Sequence, residues 1–238
     1  MSQKSLLVIV PSRGRPELCR EMVESFLNTI RPGGFTILLI YLNEDDPKIN
    51  DYKVRTGLVV TVRRGPRKYI AEVYNEYSRM YDFDYYANLN DDHLFITPKW
   101  DEKLIEICET KGNGWGIACA ADKLTNWNTH PHPSGCVISG KMTRVLGWIA
   151  APGTRHIGID VIQGRICQAI NRLFFAPEIV IEHRHWVNGM RPFDDNYRWV
   201  YGKEEQTHGD NAVRDYLYGQ FNSDVAKLKA AMEAEQYD

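Results

Sequence analysis

The residues Asn88-Leu89-Asn90-Asp91-Asp92-His93 close an apolar run of the chain. Adjacent carboxylates in such a place repel unless a counter-charge joins them, and a hard divalent cation shared with phosphate oxygens is the simplest one. A second cluster, Glu182-His183-Arg184-His185, closes another strand-like run. Residues two apart share a face of a strand, so His183 and His185 are expected to turn toward one site, where one imidazole would complete the coordination of a cation already held by carboxylate. Each cluster also has a plainer reading, a solvated turn for the carboxylates and backbone-bound rings for the histidines.

Two further stretches carry chemistry. Pro11-Ser12-Arg13-Gly14-Arg15 follows the first apolar run and offers small residues and guanidinium groups suited to a diphosphate, while Asn43-Glu44-Asp45-Asp46 follows the second and offers carboxylates to a ribose or base. Arg63, Arg64, Arg67 and Lys68 add positive charge near the same edge. Neither a G-x-G-x-x-G fingerprint nor a P-loop is present. Asp160, after Arg155-His156-Ile157-Gly158-Ile159, stands at the start of a helical pattern, where it is either an N-cap or a general base for a hydroxyl nucleophile.

The elements that must position these residues follow from periodicity. Residues 5–10 read as a strand buried on both faces, and Pro16 starts a helix with Leu18, Met22, Val23, Phe26 and Ile30 on its inner face, stopped by Pro32-Gly33-Gly34. Residues 35–42 and 58–62 are further strands, 69–81 a helix, and 85–89 the strand that delivers Asp91 and Asp92. Thr97 and Pro98 open a helix that Gly112 ends, and a strand returns at 115–120. Strand and helix alternate, which argues for an open α/β sheet. The second half is less regular: a polar loop over 121–134, a strand at 136–139, helices at 141–148 and 160–173, a strand at 178–182, and a helical tail at 210–237 broken near Gly219.

Composition bounds the function. In 238 residues, 29 Lys and Arg face 31 Asp and Glu, for a formal charge of −2, so the chain as a whole is not drawn to a polyanion. Its five cysteines are scattered and form no CxxC pair, which suits a reducing, cytoplasmic setting, and no apolar run approaches the roughly 20 residues that span a bilayer.

In order, the pieces resemble the GT-A nucleotide-sugar glycosyltransferases, and within them a family-2-like group common in bacteriophage genomes. The likeness rests on residues 6–17 (LLVIVPSRGRPE), Asp91-Asp92-His93 with Thr97-Pro98-Lys99-Trp100-Asp101, Leu146-Gly147-Trp148, Ala151-Pro152-Gly153 leading to His156 and Asp160, and residues 177–185 (PEIVIEHRH). It implies a Rossmann-like open mixed sheet flanked by helices, as one domain over 1–200 (a nucleotide-sugar half, 1–120, and an acceptor half, 121–200) with a helical tail at 201–238. It implies a metal-dependent hexosyl- or pentosyltransferase, inverting, that moves a sugar from a nucleotide-diphosphate sugar to a hydroxyl.

The resemblance also places residues. Asp92 would bind Mn²⁺ or Mg²⁺ with His183 or His185, and Asp91 would assist. Pro11, Ser12, Arg13, Arg15, Asp45, Asp46 and Asn75 would line the donor pocket, and Asp160 would be the catalytic base. Trp127, Trp148 and Trp186 are candidate platforms for sugar or acceptor. The phage relatives bring hydroxymethylated double-stranded DNA forward as the acceptor, ahead of a protein, a bacterial surface glycan or a small nucleotide, with Lys141, Arg144, Arg155, Arg165, Arg184 and Arg191 as a local cationic patch. Two departures from the family pattern, Asn90 in place of an acidic residue and Ile159 in place of Glu, motivate a catalytically silent nucleotide-sugar or glycan-binding module as an alternative. Carboxylates with histidines also suit a metal-dependent nucleotidyltransferase.

Overall fold

The computed structural model describes residues 3–33, 35–124 and 133–235. Eight strands form one mixed sheet in the order β3-β2-β1-β4-β7-β6-β8-β5. Strands β1 (Leu6–Ser12), β2 (Thr36–Asn43), β3 (Val60–Gly65) and β4 (Tyr85–Asn88) are mutually parallel, with Leu6 opposite Thr36 on one side and Tyr85 on the other. Beyond β4 the sheet mixes directions: β7 (Cys136–Ser139) runs antiparallel to both β4 and β6 (Ile117–Ala121), and β8 (Leu173–His183) runs parallel to β6. The edge strand β5 (His93–Phe95) pairs antiparallel with β8.

Continuous apolar strands need cover on both faces, and they have it. On one face, Leu6, Val8 and Val10 pack with Met22, Val23 and Phe26 of α1 (Pro16–Thr29) and Trp100, Leu104 and Cys108 of α3 (Trp100–Gly112). On the other, Leu7, Ile9 and Leu39 meet Val73, Tyr74 and Tyr77 of α2 (Ile70–Met80) and Ile162 and Ile166 of α5 (Ile159–Ala169). The short helix α4 (Gly140–Leu146) follows β7 directly. After β8 come α6 (Asp195–Val200), α7 (Lys203–Gly219) and α8 (Phe221–Ala234), the last two breaking at Gln220 and burying Tyr216 and Leu228 in the second core.

Apart from β5, the first half matches the sequence expectation to within a few residues. The second half corrects it. Strand β8 begins at Leu173, where a helix end was expected, and is displaced against β6 between Ala176 and Val180 by a bulge. Strand β5 and helix α6 were not anticipated, being three and six residues long, too short to show a period. Among the described residues no helix is long and apolar enough to cross a membrane.

Candidate active site

The parallel strands β1 and β4 lie side by side and end together, so Ser12, Arg15, Asp91 and Asp92 meet at the carboxyl edge of the sheet. The Ser12 hydroxyl donates to Asp91 Oδ2 at 2.6 Å, and the Tyr52 hydroxyl lies 3.1 Å from Ser12 Oγ. Arg15 Nη1 reaches Asp91 at 3.2 Å and Asp92 at 3.4 Å. Burial pushes the Asp91 carboxyl up to about 6, Arg15 opposing and the neighbouring Asp92 charge adding.

Asp92 is divided in its roles. Its Oδ2 accepts a hydrogen bond from the Tyr197 hydroxyl at 2.7 Å, as well as the Arg15 contact. Its Oδ1 lies 3.2 Å from His183 Nε2, yet neither atom has a hydrogen-bond partner by geometry, although both are buried. Two buried ligand atoms 3.2 Å apart that miss hydrogen-bond geometry, and form an ion pair when His183 is protonated, suit a shared cation in place of that proton, and carboxylate oxygen with imidazole nitrogen is a donor set for a transition metal such as Mn²⁺. The site fits such an ion. Burial alone would raise the Asp92 carboxyl, but His183, His93 and Arg15 hold it well below the usual carboxylate range. Burial would lower His183, and Asp92 overrides it, raising the imidazole above its ordinary value.

The strand register separates the histidines. His93 sits directly opposite His183 across the β5–β8 pair, and their rings stack at 4.3 Å and 16°. His93 belongs to the same cluster, in which all ligand atoms lie within 4.8 Å of one another, but its Nδ1 accepts the Asn90 N–H at 3.1 Å. Its Nε2 is buried without a hydrogen-bond partner, so His93 stands beside Asp92 and His183 as a third candidate ligand. The His183 and His185 rings meet edge-on with centroids 5.1 Å apart, but His185 lies beyond the end of the strand. His185 caps a 3-10 turn instead: its Nδ1 accepts the Val187 N–H and its Nε2 lies 3.5 Å from the Tyr201 hydroxyl.

Several expected donor residues have other duties. Asp46 is 2% exposed, and its oxygens take Gly14 N–H at 2.6 Å, Lys48 N–H at 2.8 Å and the Tyr52 hydroxyl at 3.1 Å, which fixes the loop that carries Arg13 and Arg15. Asn75 spends its whole amide on the backbone of Ile149 and Ala150, accepting both N–H groups at 2.9 Å and donating to Ala150 O at 2.8 Å. Asp45, paired with Arg13, stays exposed on the rim, and Pro11 is partly open.

Trp148 is a core residue, edge-on to Tyr216 at 5.7 Å, and has no face to offer a sugar. Trp186 is half-buried in an aromatic nest with Phe193, Tyr197 and Tyr201. Trp127 lies outside the described residues.

Asp160 is in the first turn of α5, two places beyond the N-cap; Gly158 is the N-cap, with φ +91°. Any side chain there would be strained, and a Cβ would lie 2.4 Å from Val213 of α7, so glycine lets the turn seat against that helix. Asp160 is partly exposed, and its charge acts on both His183 and Tyr201.

Periodicity gave no warning of the segment after β8. There Asp194 holds Arg15 through two contacts of 2.7 and 2.8 Å, Asn196 donates to Arg13 O at 2.6 Å, and the Arg15 guanidinium lies 4.3 Å from the centre of the Tyr197 ring. The cluster of Tyr and Trp over 186–201 was the available signal.

No family model matches this sequence, and no curated protein matches it. Solved structures do. The mannosyltransferase PcManGT from Pyrobaculum calidifontis, in complex with GDP-Man and Mn²⁺, superposes with a TM-score of 0.66 at 14% identity over 100% of this chain and 76% of its own. The chain has the GT-A fold. Glucosyl-3-phosphoglycerate synthase from Mycobacterium tuberculosis, with Mn²⁺, UDP and glucosyl-3-phosphoglycerate, gives 0.59 at 13% identity, covering 89% of this chain and 81% of that one. TarS from S. aureus in complex with UDP gives 0.59 at 10% identity, covering 92% and 73%. At such identities the likeness establishes the GT-A fold alone.

Proposed function

We propose that this chain is a metal-dependent glycosyltransferase that moves a sugar from a nucleotide-diphosphate sugar to an acceptor hydroxyl with inversion. The observation that carries the reading is the unbonded 3.2 Å approach of Asp92 Oδ1 and His183 Nε2, buried at the strand edge beside Ser12 and Arg15. GT-A neighbours that hold Mn²⁺ with GDP-Man or UDP support it.

A cation held by Asp92 and His183 would supply positive charge against the diphosphate as it departs. Arg15, already aimed at both carboxylates, would bind phosphate oxygens, and the exposed Asp45 would meet the nucleoside. Asp160 would accept the proton of the acceptor hydroxyl as its oxygen bonds to the anomeric carbon and the bond from that carbon to the phosphate oxygen breaks. Of the cations expected to meet a DNA acceptor, Arg165 is exposed and the other five have carboxylates nearby. Lys141 pairs with Glu235, Arg144 with Asp82, Arg155 approaches Glu205, and Arg184 and Arg191 both engage Glu21.

The test is a panel of GDP- and UDP-sugars with Mn²⁺, following which nucleotide is released. Nucleoside diphosphate, lost on adding EDTA, is the expected product; nucleoside monophosphate would favour nucleotidyl transfer, and no release would favour a silent binding module. Asp160→Asn is expected to keep donor affinity while transfer falls about a hundredfold, the usual scale for a general base. Unchanged turnover would remove Asp160 from the role.

A further inference from the structure

We propose that Asp194 is a displaceable occupant of the donor site: in the nucleotide-free protein its carboxylate holds the edge of Arg15 that a donor phosphate takes, and the diphosphate binds by pushing it aside. The proposal rests on the glycosyltransferase reading above. Arg15 Nε and Nη2 donate to Asp194 Oδ2 and Oδ1 at 2.7 and 2.8 Å, the two-pronged geometry by which a guanidinium also grips a phosphate. Carboxylate and phosphate therefore compete for one edge of one side chain. The Tyr197 ring, 4.3 Å from the guanidinium carbon, covers a face of the group, and Asp91 and Asp92 take its Nη1 end.

Charge and burial decide which carboxylate yields. Three of them converge on this one guanidinium, so a diphosphate brought to Arg15 adds negative charge where there is already a surplus, and like charges this close repel strongly away from bulk water. The Asp91 and Asp92 side chains are 5% and 2% exposed. Asp91 is further held by the Ser12 hydroxyl at 2.6 Å and Asp92 by the Tyr197 hydroxyl at 2.7 Å. The Asp194 side chain is 35% exposed, and its further contacts, to the backbone N–H groups of Asn196 and Tyr197, lie within its own turn. It has water at hand to replace Arg15, and letting go breaks no other tie to the rest of the site. Asn196 fastens that turn to the donor loop by donating to Arg13 O at 2.6 Å, which keeps Asp194 beside Arg15 while the site is empty.

A carboxylate that only oriented Arg15 for its ligand would leave the opposite mark. Losing an orienting group weakens binding, whereas losing an occupant strengthens it. The direction of the change in affinity separates the two roles.

The experiment is isothermal titration of the full chain with GDP, with UDP and with inorganic pyrophosphate, each in the presence of Mn²⁺, using the unaltered protein, Asp194→Ser and Asp195→Ser. Serine at 194 can still cap α6 but is too short to reach Arg15, so the helix end is kept and the occupant removed. Asp195 is 93% exposed and pairs with Arg198, so its substitution removes the same charge one residue further on. The Kd for pyrophosphate, and for whichever nucleotide binds, is expected to fall about tenfold or more in Asp194→Ser, the scale of one charge-assisted hydrogen bond no longer competing. It should change less than about twofold in Asp195→Ser.

Unchanged or weaker pyrophosphate binding in Asp194→Ser would overturn the proposal. So would an equal gain in Asp195→Ser, which would reduce the effect to bulk charge, and so would the absence of pyrophosphate binding in both the unaltered protein and Asp194→Ser. The expected gain for pyrophosphate, with no binding of GDP or UDP by any of the proteins, would support the occupant and count instead against the glycosyltransferase reading. If Asp194→Ser does not fold, Asp194→Asn keeps the cap and gives up one of the two contacts with Arg15, and its pyrophosphate affinity should move in the same direction.

Discussion

The site around Asp92 and the aromatic pair of Tyr69 and Trp199 are built in opposite ways. In the pocket, charged groups are buried and tied at fixed distances: Ser12 to Asp91, Arg15 to Asp91, Asp92 and Asp194, and Tyr197 to Asp92. In the aromatic pair, the rings stay half open. Charge that develops in a reaction is best met by groups oriented in advance in a low-dielectric site, where each misplacement is expensive. The difference implies that substitutions in the pocket should act steeply on metal and donor, and substitutions in the aromatic pair weakly on both.

The largest effect is expected for Asp92→Ala. Calorimetry should show Mn²⁺ affinity reduced at least about a hundredfold, since the variant removes the carboxylate ligand outright. Thermal unfolding should also shift downward, because the variant takes the counter-charge from buried His183 and the acceptor from the Tyr197 hydroxyl, while Arg15 keeps Asp91 and Asp194. A variant that binds Mn²⁺ normally would dissolve the contrast between the two regions.

Acidity should come next. Metal binding must displace the proton of His183, whose affinity for that proton Asp92 raises above the ordinary imidazole value despite burial. Mn²⁺ affinity is therefore expected to be level above that raised pKa and to fall about tenfold per pH unit below it, one proton being released per ion bound. Calorimetry across buffers of different pH reads the slope directly. A flat profile would mean that His183 is not a ligand.

Tyr197→Phe tests orientation alone. The hydroxyl ties Asp92 Oδ2 and leaves Oδ1 facing His183, so its removal should weaken Mn²⁺ binding about tenfold without deleting a ligand, in the range known for groups that orient metal ligands. Electron paramagnetic resonance of free Mn²⁺ gives the affinity. The smallest effect on binding belongs to Asn75→Ala. It should cost about 1–3 kcal/mol in denaturant unfolding, because two buried N–H groups and a carbonyl lose their partner, while donor affinity changes less than about twofold.

The parts of the molecule that the sequence announced are those whose physics is local. An apolar run ending in Asp91-Asp92 had to be a strand delivering carboxylates to a sheet edge, and strands β1 to β4 appear where their runs fall. The choice between His183 and His185 was not local. Alternation assumed that the strand continued, and where it stops is set by pairing with the three-residue β5. Asn75 and Trp148 have side chains of the right type for a binding role, and only tertiary packing turns them to the loop at Ile149 and to Tyr216. Tyr197 and Asp194 lie roughly a hundred residues beyond the carboxylates in the chain and nearly twice that beyond Arg15, a separation that a repeat or a spacing cannot bridge.

The β5–β8 ladder also sets what kinds of length change the chain can absorb. One residue inserted between Val180 and His183 would send the imidazole to the far side of the sheet and present the Glu182 carboxylate to Asp92 in its place. At the bulge between Ala176 and Val180, by contrast, β8 already carries surplus chain, so an added residue there would loop outward and leave the ligand pair in step. Lineages or designs that vary this edge should therefore accumulate insertions before Val180 and almost none after it.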